Sequence, residues 1–149
     1  LYTDRAISYR KTMNYDKNVS ISVCVQKMVR SDLGSAGVAF SIDSETGFKD
    51  VIVINSSWGL GEMVVGGRVK PDEIIVFKKT LNENHIPIID KKIGNKTQMM
   101  VYGTNPDVKT LVINVDDNKK HKFSISDDNI IKLSNLIDLT FSKIPLFCI

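Results

Sequence analysis

The chain has 149 residues, 42% of them hydrophobic and 25% charged, which fits one folded domain with its own core. Its net charge of +3 comes from 20 basic against 17 acidic side chains, too small and too scattered an excess to argue for nucleic acid. No apolar run approaches the roughly 18 residues a membrane-crossing helix needs, so no membrane partner is expected.

Residues 1–13 read as the tail of a helix, with Ala6, Ile7 and Tyr9 set among Arg5, Arg10 and Lys11. The run NYDKN breaks it. In residues 19–29, VSISVCVQKMV, the apolar Val19, Ile21, Val23 and Val25 alternate with Ser20, Ser22 and Cys24, the period of a strand. The alternation fails at Gln26-Lys27-Met28-Val29, where the chain is expected to leave its sheet. A polar turn, RSDLGSA, leads to a second strand over 37–42. DSETG supplies turn chemistry before a third strand over 50–56.

The glycine-rich stretch INSSWGLGEMVVGGRVKPDE follows at 54–73, with the only tryptophan, Trp58. Four short β-rich runs come next: 72–79, 85–94, 97–103 and 110–116. Between the last of these and the C-terminal helix, Lys119-Lys120-His121-Lys122 reads as a solvated basic loop. In that helix Ile130, Leu133, Ile137 and Phe141 recur at helical spacing, with Ser126 or Asp127 as the N-cap. Strands in the middle and helices at the ends predict an α+β domain, mainly antiparallel.

Few residues offer chemistry. Cys24 and Cys148 lie far apart without metal-ligand spacing, and read as two thiols of a reducing compartment rather than a disulfide. His85 and His121 have no partner at triad or metal spacing, and no nucleophile elbow, phosphate loop or CxxC is present. Two stretches remain. A strand that drops from its ladder at Gln26–Val29 exposes successive N–H and C=O groups, which match the donor and acceptor on adenine's edge. Met28 would then cover the ring face and Gln26 would add a polar contact. The other reading is a plain core strand. In the glycine stretch, Gly59 and Gly61 allow close backbone approach. Glu62 either stabilises a short helix start through the macrodipole or faces a phosphate through Mg2+. Trp58 reads as a packing residue beneath the loop.

The segments RAISYR, SVCVQKMVRSDLGSAGVAFSIDSETGF, INSSWGLGEMVVGGRVKPDE and IGNKTQMMVY resemble, in order and spacing, the N-terminal nucleotide-binding domain of the phosphoenolpyruvate synthase (pyruvate, water dikinase) family. The likeness runs from Leu1 to the mid-120s. It implies part of an ATP-grasp fold, with ATP held between two α+β lobes, and Mg2+ as the cation. The activity implied is conversion of ATP, pyruvate and water to phosphoenolpyruvate, AMP and phosphate through a phosphohistidine on another domain. By position Gln26, Met28 and Val29 fall on the family's adenine-contacting hinge, and Glu62 near the polyphosphate side. Metal ligands stay unassigned, and no catalytic residue is carried over.

The resemblance further implies a cytoplasmic, homodimeric whole enzyme whose pyruvate site lies on other domains. The family's phosphate-gripping Lys and Arg would precede Leu1. Its Asp-Ile-Glu and Gln-x-Arg motifs would follow the last helix, where FSKIPLFCI fits poorly. Residues 1–149 are therefore expected to be a partial domain, inactive alone. The alternatives are a non-catalytic truncated remnant, or the ATP domain of a related pyruvate phosphate dikinase or rifampicin phosphotransferase.

Overall fold

The computed structural model describes residues 2–15, 20–83, 85–105 and 107–143, with 141–143 as backbone only. Helix α1 (Asp4–Thr12) is capped by Thr3, whose side chain accepts the Ala6 N–H, and it buries none of its residues. A four-stranded antiparallel sheet follows, in order β1 (Ser35–Phe40), β2 (Val51–Trp58), β3 (Asp72–Phe77), β4 (Ile88–Lys92). A separate antiparallel hairpin pairs β5 (Gln98–Tyr102) with β6 (Thr110–Asn114). Short helices α2 (Glu62–Val65) and α3 (Asp117–Lys120) sit in the connections, and α4 (Asp127–Lys143) closes the described chain. This is the α+β, antiparallel architecture that the patterning implies. Each observed strand lies within about three residues of its expected place, and Lys78 and Lys79 turn into a 3-10 segment instead of extending β3.

Register sorts the side chains between the two faces of the sheet. Ala39, Ile54 and Ile74 align across three strands, and Ile52 opposite Val76 continues that face. Ile52, Ile54, Ile74, Val76 and Leu81 meet Ile130 of α4 in one buried cluster, with Leu133 and Ile137 packed against it. Full burial of a side chain such as Ile130 stabilises by about 1.5–3 kcal/mol. Here the helical spacing read from the sequence is met, except that the Phe141 side chain lies outside the described residues. The Ser126 carbonyl accepts the Ile130 N–H at 2.9 Å, so Ser126 stands at the helix entrance.

One expected strand is absent. Residues 20–30 form no ladder with any described residue and are exposed throughout; Val19 lies outside the described residues. Alternation sorts side chains only once a neighbouring strand supplies N–H and C=O partners, and none of the described strands stands beside this run. Cys24 is accordingly an exposed free thiol, and Cys148 lies outside the described residues. Among the described residues no helix is long and apolar enough to cross a membrane.

Candidate functional site

The glycine stretch is hydrogen-bonded to Gly34, five residues beyond the run 26–29, and to Met100 of β5. The run 26–29 is exposed, Met28 at 69% and Val29 at 79%. Its main chain makes a single bond among the described residues, from the Ser31 N–H to the Val29 carbonyl at 3.0 Å. A 3-10 turn, Ser31–Leu33, follows and delivers Gly34. The Gly34 carbonyl accepts the Gly59 N–H at 3.0 Å, and the Met100 carbonyl accepts the Leu60 N–H at 2.9 Å. Gly59 has φ of 81°, in the left-handed region, and a Cβ there would stand 2.5 Å from the Met100 carbonyl oxygen. Only glycine lets the end of β2 lie against β5 this closely.

Beyond Gly59, Glu62 opens α2 as the sequence suggests, and its side chain is exposed. Met63 and Val69, which flank this turn, pack on Met100 as a second small core. Near the end of the stretch stands Asp72, fully buried, with hydrogen bonds to both carboxylate oxygens. Its Oδ1 accepts from Lys96 Nζ and from the Gly94 N–H at 2.8 Å. Its Oδ2 accepts the Ser124 N–H at 2.8 Å and the Ser124 hydroxyl at 2.7 Å. Ser124 Oγ also lies 2.8 Å from Ser56 Oγ. A carboxylate with four donors, one of them a buried ammonium, fixes where the glycine stretch rejoins the sheet.

Trp58 packs, but on α3 and not beneath the glycine loop. Its Nε1 donates to the Lys119 carbonyl at 3.1 Å, and Lys119 Nζ stands 5.4 Å from the ring centroid. The basic run is thus partly the short helix α3, with Lys120 paired to Asp117. His85 is exposed beside Glu83, 3.4 Å away.

The sheet face away from α4 is open and carries two clefts. One of about 480 Å³ is lined by Val38, Asn55, Val64, Lys70, Glu73 and Lys92 among others. The second, about 440 Å³, shares Asn55, Glu73 and Lys92 with it. Gln26, Met28, Val29 and Glu62 line neither cleft. The structure does not gather these residues round either cleft, and the run 26–29 reaches the glycine stretch only along the chain, through Gly34. No group of three or more His, Cys, Asp or Glu among the described residues could hold a metal ion. Mg2+ does not demand an all-protein cage, since one carboxylate and phosphate oxygens can share it. Glu62 is an exposed carboxylate without a second acidic or histidine partner grouped for a metal among the described residues.

Three features escaped the sequence reading: the Asp72 network, the polar pair Arg30–Asp32, and Asn55 at the meeting of the clefts. Arg30 Nε and Nη2 donate to the two carboxylate oxygens of Asp32 at 2.8 and 2.7 Å. This fork, chiefly by its hydrogen bonds, holds the Asp32 carboxyl below its ordinary 3.8 and raises Arg30. A lowered folded-state value means the stabilisation is complete above the unfolded carboxyl's range and is lost as pH falls through the folded one. Asp32→Asn should thus lower the melting temperature at neutral pH, with the gap to the parent chain closing below about pH 4. A gap that stays constant from neutral to acid would contradict the fork's role.

The chain matches the family model described as "Pyruvate phosphate dikinase, AMP/ATP-binding domain" over residues 1–140. It is 50% identical over 147 residues to phosphoenolpyruvate synthase of Aquifex aeolicus, covering 96% of this chain and 17% of that protein. Against the Helicobacter pylori phosphoenolpyruvate synthase the identity is 54% over 136 residues, 90% of this chain and 17% of the relative. The Escherichia coli phosphoenolpyruvate synthase is 44% identical over 137 residues, with the same two coverages. The chain thus spans about a sixth of the length of these curated relatives.

Proposed function

Because this chain belongs to the pyruvate phosphate dikinase AMP/ATP-binding domain family, we propose that it is the ATP-binding segment of a phosphoenolpyruvate synthase. The match over residues 1–140 carries this reading. The main chain of 26–29, which outside Val29 makes no hydrogen bond among the described residues, is consistent with it. In this proposal residues 1–149 supply part of an ATP-grasp domain. Gln26, Met28 and Val29 receive the adenine, and Glu62 faces the phosphates and shares Mg2+ with their oxygens.

The whole enzyme would convert ATP, pyruvate and water to phosphoenolpyruvate, AMP and phosphate. The phosphohistidine and the pyruvate site would belong to other parts of it. Phosphoryl transfer draws its rate from charge compensation around the phosphates. His85 lies beside Glu83 and His121 beside the Asp117–Lys120 pair, both on the surface, and the described residues hold no group of three or more His, Cys, Asp or Glu placed for a metal ion. The segment by itself therefore binds nucleotide without forming AMP.

A thermal-shift titration with ATP and Mg2+ tests the binding. At a hundredfold excess over the dissociation constant, mass action adds about 2.7 kcal/mol of stability. Met28→Lys, which places a charge where the base face should lie, should remove most of that shift while leaving the melting temperature without ligand unchanged, Met28 being exposed. A shift of equal size in the variant would sink the assignment of 26–29. No shift in the parent chain would sink the proposal for the segment.

A further inference from the structure

Arg30 occupies an unusual place. It follows directly on the run 26–29, whose main chain is otherwise tied down only at Val29. Both ends of its guanidinium fork are engaged by Asp32, which is 6% exposed. The same guanidinium lies 5.8 Å from the centroid of the Tyr102 ring, at the end of β5. Strand β5 in turn carries Met100, whose carbonyl holds Leu60 of the glycine stretch. A planar cation that forks onto a carboxylate and stands over an aromatic ring is held by two independent geometries at once. Its backbone is the next link after Val29, so its position sets the direction from which 26–29 leaves the junction.

We propose that Arg30 is a positioning residue for base recognition: clamped between Asp32 and Tyr102, it fixes the run 26–29 relative to the Gly59 stretch, so that base and phosphates are met by parts in fixed register. This rests on the reading that 26–29 receives the base. Arg30 itself touches no nucleotide in this scheme, and it adds to affinity by sparing the run the ordering that binding would otherwise demand.

The test compares dissociation constants for ATP and for inorganic tripolyphosphate, each with Mg2+, followed by Trp58 fluorescence or calorimetry, in the parent chain and in Arg30→Ala, Arg30→Lys and Met28→Lys. Arg30→Ala should weaken ATP about tenfold and leave tripolyphosphate unchanged, about the worth of one charge-assisted contact. Arg30→Lys keeps the charge without the planar fork, so it should not restore ATP affinity. Amide hydrogen exchange at 26–29 in Arg30→Ala should rise while exchange in β2 and β3 stays as in the parent, which separates positioning from loss of fold.

If Met28→Lys weakens ATP and Arg30→Ala does not, Arg30 has no such role although the base-binding reading stands. If neither variant weakens ATP, the base-binding reading falls and takes this proposal with it. Equal weakening of ATP and tripolyphosphate by Arg30→Ala overturns the proposal as well, since the effect would then lie with the phosphates or the fold.

Discussion

Asp72→Asn is expected to cost about 3–5 kcal/mol, the usual loss when one partner of a buried ion pair is removed. Such a loss is a large share of the roughly 5–15 kcal/mol that holds a domain together. The size follows from the donors around the carboxylate. Lys96 and the Gly94 N–H face Oδ1, while the Ser124 N–H and hydroxyl face Oδ2. Whichever side the asparagine NH2 takes, it meets two donors where the carboxylate offered an acceptor. With the NH2 on the Oδ1 side, Lys96, fully buried, would be left with only the Gly94 carbonyl at 3.3 Å; with it on the Oδ2 side, Lys96 would keep an oxygen but lose its counter-charge.

The reverse deletion is expected to be milder. Lys96→Met leaves Asp72 with three donors, so the carboxylate keeps most of its compensation. Urea unfolding of the two single variants and of Asp72→Asn/Lys96→Met measures the asymmetry. The double variant should be more stable than Asp72→Asn alone, because the stranded ammonium is gone. A loss below about 1 kcal/mol for Asp72→Asn would mean that the network is hydrated and contributes little.

That network also marks the limit of what the sequence discloses. Asp72 was visible as part of Pro-Asp after a glycine stretch, but Lys96 and Ser124 stand 24 and 52 positions away. No local pattern ties them to it. The strands β2 and β3 were legible because β-branched runs between turn residues need little context, and α4 because its apolar spacing of three and four survives any arrangement of the sheet. The run 19–29 was the reverse case. Its alternation is the most regular in the chain, yet residues 20–30 ladder with nothing described. A period of two reports which side chains would share a face, and it carries no information about whether a neighbour is there. Gly59 was legible for a different reason: a left-handed backbone is a property of one residue. Its contact with Met100, which gives that conformation its use, was not.

Gly59→Ala should strongly impair nucleotide binding. A non-glycine residue in the left-handed region costs about 1–3 kcal/mol by conformation alone. The added Cβ would also sit 2.5 Å from the Met100 carbonyl oxygen and 3.1 Å from the Met100 nitrogen, both main-chain atoms that cannot swing aside as a side-chain tip would. Relief requires β5 to move from the end of β2, which gives up the Leu60–Met100 and Gly59–Gly34 hydrogen bonds, about 1 kcal/mol each. Gly47→Ala is the internal control. Its φ of 75° carries the same conformational cost, and nothing lies within 4 Å of the new methyl. The difference in stability between the two variants therefore isolates the contact with β5. Trp58, the residue before Gly59, should report the displacement as a changed emission spectrum in Gly59→Ala only. On the binding side, the ATP-dependent thermal shift should vanish in Gly59→Ala and persist in Gly47→Ala. Equal stability losses in the two would show that β5 yields to the methyl freely, and the junction would then no longer connect the glycine stretch to the run that is proposed to hold the base.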